Sequence, residues 1–152
     1  MNNPFPKTDP DRHAIWEMLA ARDIDAFVAC NWETVRDDFD AESFFAVDAG
    51  RRSNPDTWSI GFADLAAYQA GWLRQAGDFR AATAEADPAG ALHRLTFLRD
   101  IEVSGDRAVA HKKFDGSLMQ KDGTVARLCW QTLYHCRRIG GRWKIVGFTG
   151  YL

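Results

Sequence analysis

Residues 133–148 read LYHCRRIGGRWKIVGF. Two stretches of aromatic, β-branched and long side chains lie on either side of the pair Gly140-Gly141. Glycine reaches the positive backbone angles that a tight hairpin turn requires, so this segment predicts two antiparallel strands joined by a short turn. The chain is therefore expected to end in a β-hairpin.

The same pattern continues upstream of the hairpin. Strand-like segments span residues 92–103, 107–119, 124–138 and 142–151, with turn residues at 104–106, 121–123 and 140–141. Short turns that contain glycine join neighbouring antiparallel strands. The second half of the chain therefore predicts a meander of four long strands.

Helical patterns come before the sheet. Apolar spacing after a cap-and-proline start indicates a helix over residues 10–21 and a second over residues 23–35. Residues 44–48 have the composition of a short strand, residues 49–61 predict a loop, and a third helix follows over residues 65–76.

Between the third helix and the meander, residues 77–91 predict at most a single helical turn, at Asp87-Pro88. The order of elements is that of an α+β protein whose helices cover one face of an antiparallel sheet. Long twisted strands curl, and a curled sheet closed by helices leaves a cone-shaped hollow.

This order of elements, with its closing segment, resembles the NTF2-like superfamily and in particular its SnoaL-like members. The strand, the GGRWKI turn and the final strand within residues 133–148 are similar to the usual ending of that family. The resemblance covers nearly the whole chain and implies one domain, residues 1–152, in which three N-terminal helices pack on a strongly curved sheet around a pocket. Scytalone dehydratase, ketosteroid isomerase, polyketide cyclases and limonene epoxide hydrolase share that fold with many non-catalytic binders, so function depends on the residues of the pocket.

Composition narrows the class of function. The chain has 152 residues, a net charge of -2 and no long run of one sign, which disfavours nucleic-acid binding through a basic face. It has no stretch of about 20 apolar residues, and residues 1–10 lack the apolar middle of a signal peptide. Three cysteines without metal-ligand spacing predict reduced thiols. We expect a cytoplasmic protein that binds no nucleic acid, membrane, metal or cofactor.

Two residues are candidates for proton transfer. Asp48 ends a short strand, where the resemblance to ketosteroid isomerase implies a catalytic aspartate, and a carboxylate at the mouth of an apolar hollow can act as a general base. The alternative is that Asp48 caps the turn into Gly50. His93 shares the inward alternation of the strand at residues 92–103, and the resemblance to scytalone dehydratase implies a catalytic histidine there. The alternative is a strand-end histidine bonded to backbone or water.

Five further residues are candidates for substrate binding. Trp130, Thr132 and Tyr134 alternate on one face of a strand and are expected to line the pocket. Arg99 shares the inward alternation of its strand, where a buried guanidinium would need a partner, although a bulge would turn it outward. Trp16 lies in the first helix near the position where ketosteroid isomerase carries its tyrosine acid, but an indole N–H donates a hydrogen bond without acting as an acid.

The sequence leaves three functions open. The first is a cofactor-independent lyase, isomerase or hydrolase acting on a small hydrophobic substrate; the second is a binding module for such a molecule; the third is a dimeric interaction domain. The strand at residues 124–138 has apolar side chains on both faces, with Trp130 on one and Leu133 on the other. Because the helices cover only one face, we expect a homodimer through the other.

Overall fold

One long helical segment opens the fold. In the computed structural model, which describes residues 2–152, helix α1 (Pro10–Trp16) runs through a π-helical turn (Glu17–Arg22) and continues as α2 (Asp23–Ala29). The two helices predicted here are therefore one rod with a wider turn in its middle. The rod ends at residue 29 rather than near residue 35, because Cys30 takes up the left-handed conformation at φ 53° and stops the helical hydrogen bonding.

Two more helices lie between the first strands and the meander. Helix α3 (Leu65–Ala82) starts at Asp64, whose side chain accepts a hydrogen bond from the backbone N–H of Ala67 at 2.8 Å. Helix α4 (Pro88–Leu95) starts in the same way at Asp87. It is two turns long where one turn was predicted, so the following strand starts at residue 96 and not at residue 92. Single 3-10 turns lie at Trp32–Thr34, Arg36–Asp38 and Pro55–Thr57.

Six strands form one open sheet in the order β2-β1-β6-β5-β4-β3. They are β1 (Phe45–Asp48), β2 (Ser59–Phe62), β3 (Thr96–Ser104), β4 (Arg107–Met119), β5 (Val125–Ile139) and β6 (Arg142–Gly150). Strands β3 to β6 pair consecutively and antiparallel, which confirms the predicted meander. Strand β1 adds to it parallel to β6, and β2 pairs antiparallel with β1. The prediction of a loop over residues 49–61 was wrong in part, because its last residues form the edge strand β2.

The closing hairpin is tied to the helices by polar contacts. The indole N–H of Trp143 donates to Asp11 of α1 at 3.0 Å. Asp38, only 1% exposed, accepts two hydrogen bonds from Arg22 at 2.6 and 2.8 Å and a third from Arg142 at 2.6 Å. A buried carboxylate held by two guanidiniums is fully satisfied, so these contacts fix the hairpin against the helical rod.

The helices pack on one face of the sheet and leave the other uncovered. Residues from α1, β3 and β4 form the core, among them Ile15, Leu98 and Ala110. Large apolar side chains remain exposed on the uncovered face, namely Phe45, Ile60, Phe97, Val109, Met119 and Val125. No helix within residues 2–152 is both long and apolar enough to cross a lipid bilayer.

Candidate functional site

A cavity of about 230 Å³ lies between α2 and α3 on one side and the inner face of β4, β5 and β6 on the other. Its wall is mainly aromatic. Rings from both layers contribute: Phe27, Trp72, Phe79, Phe114, Trp130 and Phe148. Aromatic walls with a few convergent polar groups are typical of sites for small molecules.

An ion pair is built into the wall of this cavity. Lys112 points inward from β4, is 1% exposed, and places Nζ 2.7 Å from Asp23 Oδ2. The same ammonium donates to the carbonyl oxygen of Leu19 at 2.6 Å and lies 5.1 Å from the centre of the Phe114 ring. Asp23, whose side chain is 23% exposed, is the more accessible partner of the pair. Because π-helical turns are frequent at functional sites, the position of Leu19 within such a turn is consistent with a site here.

Two tyrosines, Tyr68 and Tyr134, also line this cavity. Burial, followed by the negative charge of Asp23, raises the pKa of Tyr68 well above its ordinary value. Burial, followed by Tyr68 and then Asp23, raises the pKa of Tyr134 in the same direction. Both hydroxyls therefore remain protonated and available as donors. Between residues 2 and 152, neither hydroxyl forms a hydrogen bond with another protein group.

One part of the lining, which we call the mouth, consists of the exposed Gln75 together with Trp130 and Tyr151, which are partly exposed. Gln75 is exposed and its amide donates to the hydroxyl of Tyr151 at 3.4 Å. The ring centres of Trp130 and Tyr151 are 6.1 Å apart. The ion pair and the two tyrosines thus share the cavity with a mouth that is mostly aromatic.

These groups can support proton transfer or hydrogen bonding to one small ligand. One carboxylate oxygen of Asp23 is bonded to Lys112, and the other makes no bond within residues 2–152. A carboxylate beside protonated hydroxyls in an apolar hollow provides an acceptor and donors for the same reacting group. Among the described residues, no three His, Cys, Asp or Glu side chains are placed to hold a metal ion.

No protein-family model matches the chain, and no curated protein matches its sequence. Solved structures do match. An NTF2-like superfamily protein from Salmonella enterica aligns over 94% of this chain and 91% of its own, with 12% identity and a TM-score of 0.60. A ketosteroid isomerase-like protein from Erwinia carotovora aligns over 90% and 92%, with 15% identity and a TM-score of 0.52. This chain has the NTF2-like fold.

A third match is a protein from Novosphingobium aromaticivorans that is named for a proposed aromatic-ring hydroxylase activity. It covers 96% of this chain and 90% of its own length, with 20% identity and a TM-score of 0.56. At these identities the likeness concerns the NTF2-like fold alone. The family expectation drawn from residues 133–148 is confirmed at that level.

Three of the candidate residues lie where the strand pattern predicted. Trp130, Thr132 and Tyr134 are on the inner face of β5 and on the wall of the NTF2-like cavity. Thr132 is buried, and Trp130 is partly exposed at the mouth. Their contact with a ligand remains a prediction.

Asp48 does not line the cavity. It ends β1 as predicted, but its carboxylate accepts a hydrogen bond from the backbone N–H of Gly50 at 2.7 Å, which is the capping alternative. The next strand also packs closely against it, since a side chain at Gly61 would collide with the Cβ of Asp48. The prediction that places this carboxylate in the pocket was wrong.

His93 lies outside the cavity as well, in helix α4 rather than at the start of a strand. Its Nε2 is 3.1 Å from Asp25 Oδ1 on α2, while Nδ1 is buried without a partner within residues 2–152. It borders a separate cleft of about 460 Å³. The alternation used to orient His93 does not apply, because the cap at Asp87 starts a helix that continues through residue 93. Asp48 and His93 therefore do not form a pair in the pocket.

The remaining two candidates also lie elsewhere. Trp16 is 2% exposed in the core and borders the same separate cleft. Arg99 is exposed at a β-bulge between Leu98 and Asp100, so the outward alternative is correct. A bulge adds one residue to a strand and reverses the side-chain direction that alternation predicts.

The sequence reasoning did not identify Lys112, Asp23 or Tyr68. Lys112 follows Ala108 and Ala110 at the inward positions of β4, and a lysine at such a position is a detectable signal. The sequence reasoning placed residue 23 only at the start of a second helix, whereas it lies within the continuous helical rod. The contact between these side chains depends on how α2 packs over β4, which no local pattern contains.

Proposed function

We propose that the cavity binds a small, flat, mainly apolar molecule that carries a carbonyl group, and that Asp23 removes a proton from the carbon next to that carbonyl. The ion pair of Asp23 and Lys112 beside two unbonded tyrosine hydroxyls carries this proposal. It is the activity of an acid–base isomerase or lyase, as in the SnoaL-like branch of proteins with this fold.

The size of the cavity supports a ligand of one ring with a short substituent. A dry protein cavity of about 150 Å³ accepts benzene, and this cavity of about 230 Å³ is larger. Rings on opposite walls, Trp72 from α3 and Phe114 from β4, suit a flat ligand.

Each polar group has a separate role in the proposed reaction. The free oxygen of Asp23 accepts the proton, and the electron pair of the broken C–H bond moves into the carbonyl, which becomes an enolate. The hydroxyls of Tyr68 and Tyr134 donate hydrogen bonds to the enolate oxygen, where negative charge develops. If the substrate has a double bond conjugated with the enolate, return of the proton to the far carbon of that bond gives an isomer. If it has a β-hydroxyl, loss of hydroxide, which takes the proton from Asp23, gives an alkene and water.

Lys112 acts in this scheme as a positioning residue. Its bond to Asp23 Oδ2 holds the carboxylate in place and leaves the other oxygen unbonded. The carbonyl of Leu19 fixes the ammonium from behind.

Exchange of the benzylic protons of phenylacetone for deuterium, followed by NMR, tests the proposal without knowledge of the natural substrate. We expect the protein to accelerate exchange over buffer, since a positioned base contributes about 10²- to 10⁴-fold. Lys112→Met retains the base and should retain part of the acceleration. The double change Asp23→Asn with Lys112→Met keeps the cavity neutral and should reduce exchange to the buffer rate.

A non-catalytic binding module is the second candidate. It is favoured by the bond between Asp23 and Lys112, which occupies one carboxylate oxygen and would serve to hold the two layers of the wall together. Phenylacetone that binds the protein without accelerated exchange would support this function and exclude the first.

We also propose that a second copy of the chain covers the open face of the sheet. Exposed Phe45, Val109 and Val125 on that face support a partner, and the apolar strand β5 lies at its centre. Sedimentation at micromolar concentration tests this: a dimer is expected, and a monomer would exclude it. The face is separate from the cavity, so the result does not affect the proposed reaction.

A further inference from the structure

We propose that the ligand carries an anionic group, of the carboxylate type, at the end that remains in the mouth, and that Arg51 binds it. This inference rests on the proposed binding of an apolar molecule in the cavity and adds the class of that molecule, an aromatic or otherwise apolar acid.

The position of Arg51 is fixed by its backbone. It has φ 58°, in the left-handed region that residues other than glycine seldom adopt, and its N–H donates to the carbonyl oxygen of Tyr151 at 2.7 Å. Tyr151 is itself in the left-handed region at φ 56° and is part of the mouth. Two uncommon backbone conformations are thus joined at the edge of the cavity and hold residue 51 there.

The side chain of Arg51 has a free charge. Its guanidinium carbon lies 6.0 Å from the centre of the Trp130 ring, and within residues 2–152 it has neither a carboxylate partner nor a hydrogen bond. The neighbouring Arg52 differs, because its guanidinium donates to the carbonyl oxygens of Ala49 at 3.1 Å and Asp48 at 3.3 Å. Of these two adjacent arginines, only Arg51 has its guanidinium available to bind a ligand.

The charges around the cavity also favour an anion at the mouth. Inside, the ammonium of Lys112 balances the carboxylate of Asp23, so the interior has no net charge that repels an acid. The carboxylate of Asp48, close to Arg51 in sequence, is bonded to Gly50. An ionised group is expensive to bury in an aromatic hollow, so the apolar part of the ligand enters and its charged end stays at the rim. The amide of Gln75 and the hydroxyl of Tyr151 offer further donors there.

A matched pair of probes tests the inference: 3-phenylpropanoate and 3-phenylpropanamide, which have nearly the same shape but differ in charge. Their dissociation constants are measured by the quenching of tryptophan fluorescence or by calorimetry. We expect the wild-type protein to bind the acid about fivefold more tightly than the amide, as for a partly exposed ion pair, with the difference decreasing at high salt.

Three variants localise the effect. Arg51→Met should remove the preference for the acid and leave amide binding unchanged; the backbone strain is the same because neither side chain is glycine. Arg51→Lys keeps the charge without the planar fork and should retain part of the preference. Arg94→Met removes one positive charge from the exposed side of α4 and should leave the preference intact.

Equal binding of acid and amide by the wild-type protein would overturn the inference while leaving the proposed cavity function in place. A preference that survives in Arg51→Met, or disappears equally in Arg94→Met, would also overturn it. If neither probe binds, both the inference and the proposed function fail. Thermal unfolding of each variant verifies that the fold is retained.

Discussion

Substitution of Lys112, of Asp23 and of both should lower the free energy of unfolding by different amounts, and the burial of each charge determines which loss is larger. Asp23→Asn leaves an ammonium that is 1% exposed, bonded to the carbonyl of Leu19 but without a carboxylate partner. Breaking a buried pair in this way costs about 3–5 kcal/mol of the free energy of unfolding. Lys112→Met leaves a carboxylate that is 23% exposed and can contact water, and methionine fills the space of the lysine stem. We therefore expect a smaller loss, about 1–2 kcal/mol.

The double variant should be more stable than Asp23→Asn alone. With both charges removed, no unpaired ion remains, and the free energy of unfolding should return to within about 1 kcal/mol of wild type. The coupling energy between the two positions is then about 3 kcal/mol or more.

Urea unfolding followed by far-UV circular dichroism measures these values, with comparable m-values required across the four proteins. The matched comparison is the pair Arg36 and Glu33, which lies away from the sheet; its side chains are 57% and 67% exposed, and the coupling should be below about 1 kcal/mol. Two small and additive losses at Lys112 and Asp23 would refute the assignment of a buried ion pair to the cavity.

Three other predictions concern stability and titration. Gly147→Ala should destabilise the protein by about 2 kcal/mol or more in the same urea assay, because the added Cβ would collide with a backbone carbonyl of β1. Gly77→Ala is the control in an open position of α3, and it should stabilise the protein by about 0.5–1 kcal/mol. The pKa values of Tyr68 and Tyr134 are raised, so neither hydroxyl should ionise in the folded protein when tyrosinate absorbance is followed up to about pH 10.5. Ionisation of both at that pH would contradict their burial. Burial lowers the pKa of His135. The neutral form therefore contributes stability that is complete above about pH 6.5 and is lost as the pH falls through the folded pKa. His135→Gln should flatten that part of the curve of unfolding free energy against pH, and an unchanged slope would contradict this account.

The fold was predictable from the sequence to a greater extent than the site. Glycine turns and two-residue alternation are local, and they predicted the meander and the inward position of Trp130. Alternation failed at His93 and at Arg99, where a helix continues and a bulge intervenes. At His93 the helix takes the place of the first residues of the predicted strand, and at Arg99 one extra residue is inserted; either change alters the direction of a side chain.

The ion pair was beyond local patterns for a different reason. Lys112 and Asp23 are separated by 89 residues and meet only because the helical rod lies across β4. Strand β2 was missed because half of its four residues are serine and glycine, whereas the equally short β1 was recognised from its aromatic and β-branched residues. Long-range packing therefore determines which polar groups share the cavity.

A crystal structure of the protein with phenylacetone bound would test the central claim most directly. We expect the ketone inside the cavity between α3 and β5, with its oxygen within about 2.5–3.2 Å of the hydroxyl of Tyr68 or Tyr134 and its benzylic carbon facing the free oxygen of Asp23. A ketone bound in the separate cleft beside His93, with the cavity left without ligand at saturation, would contradict the account.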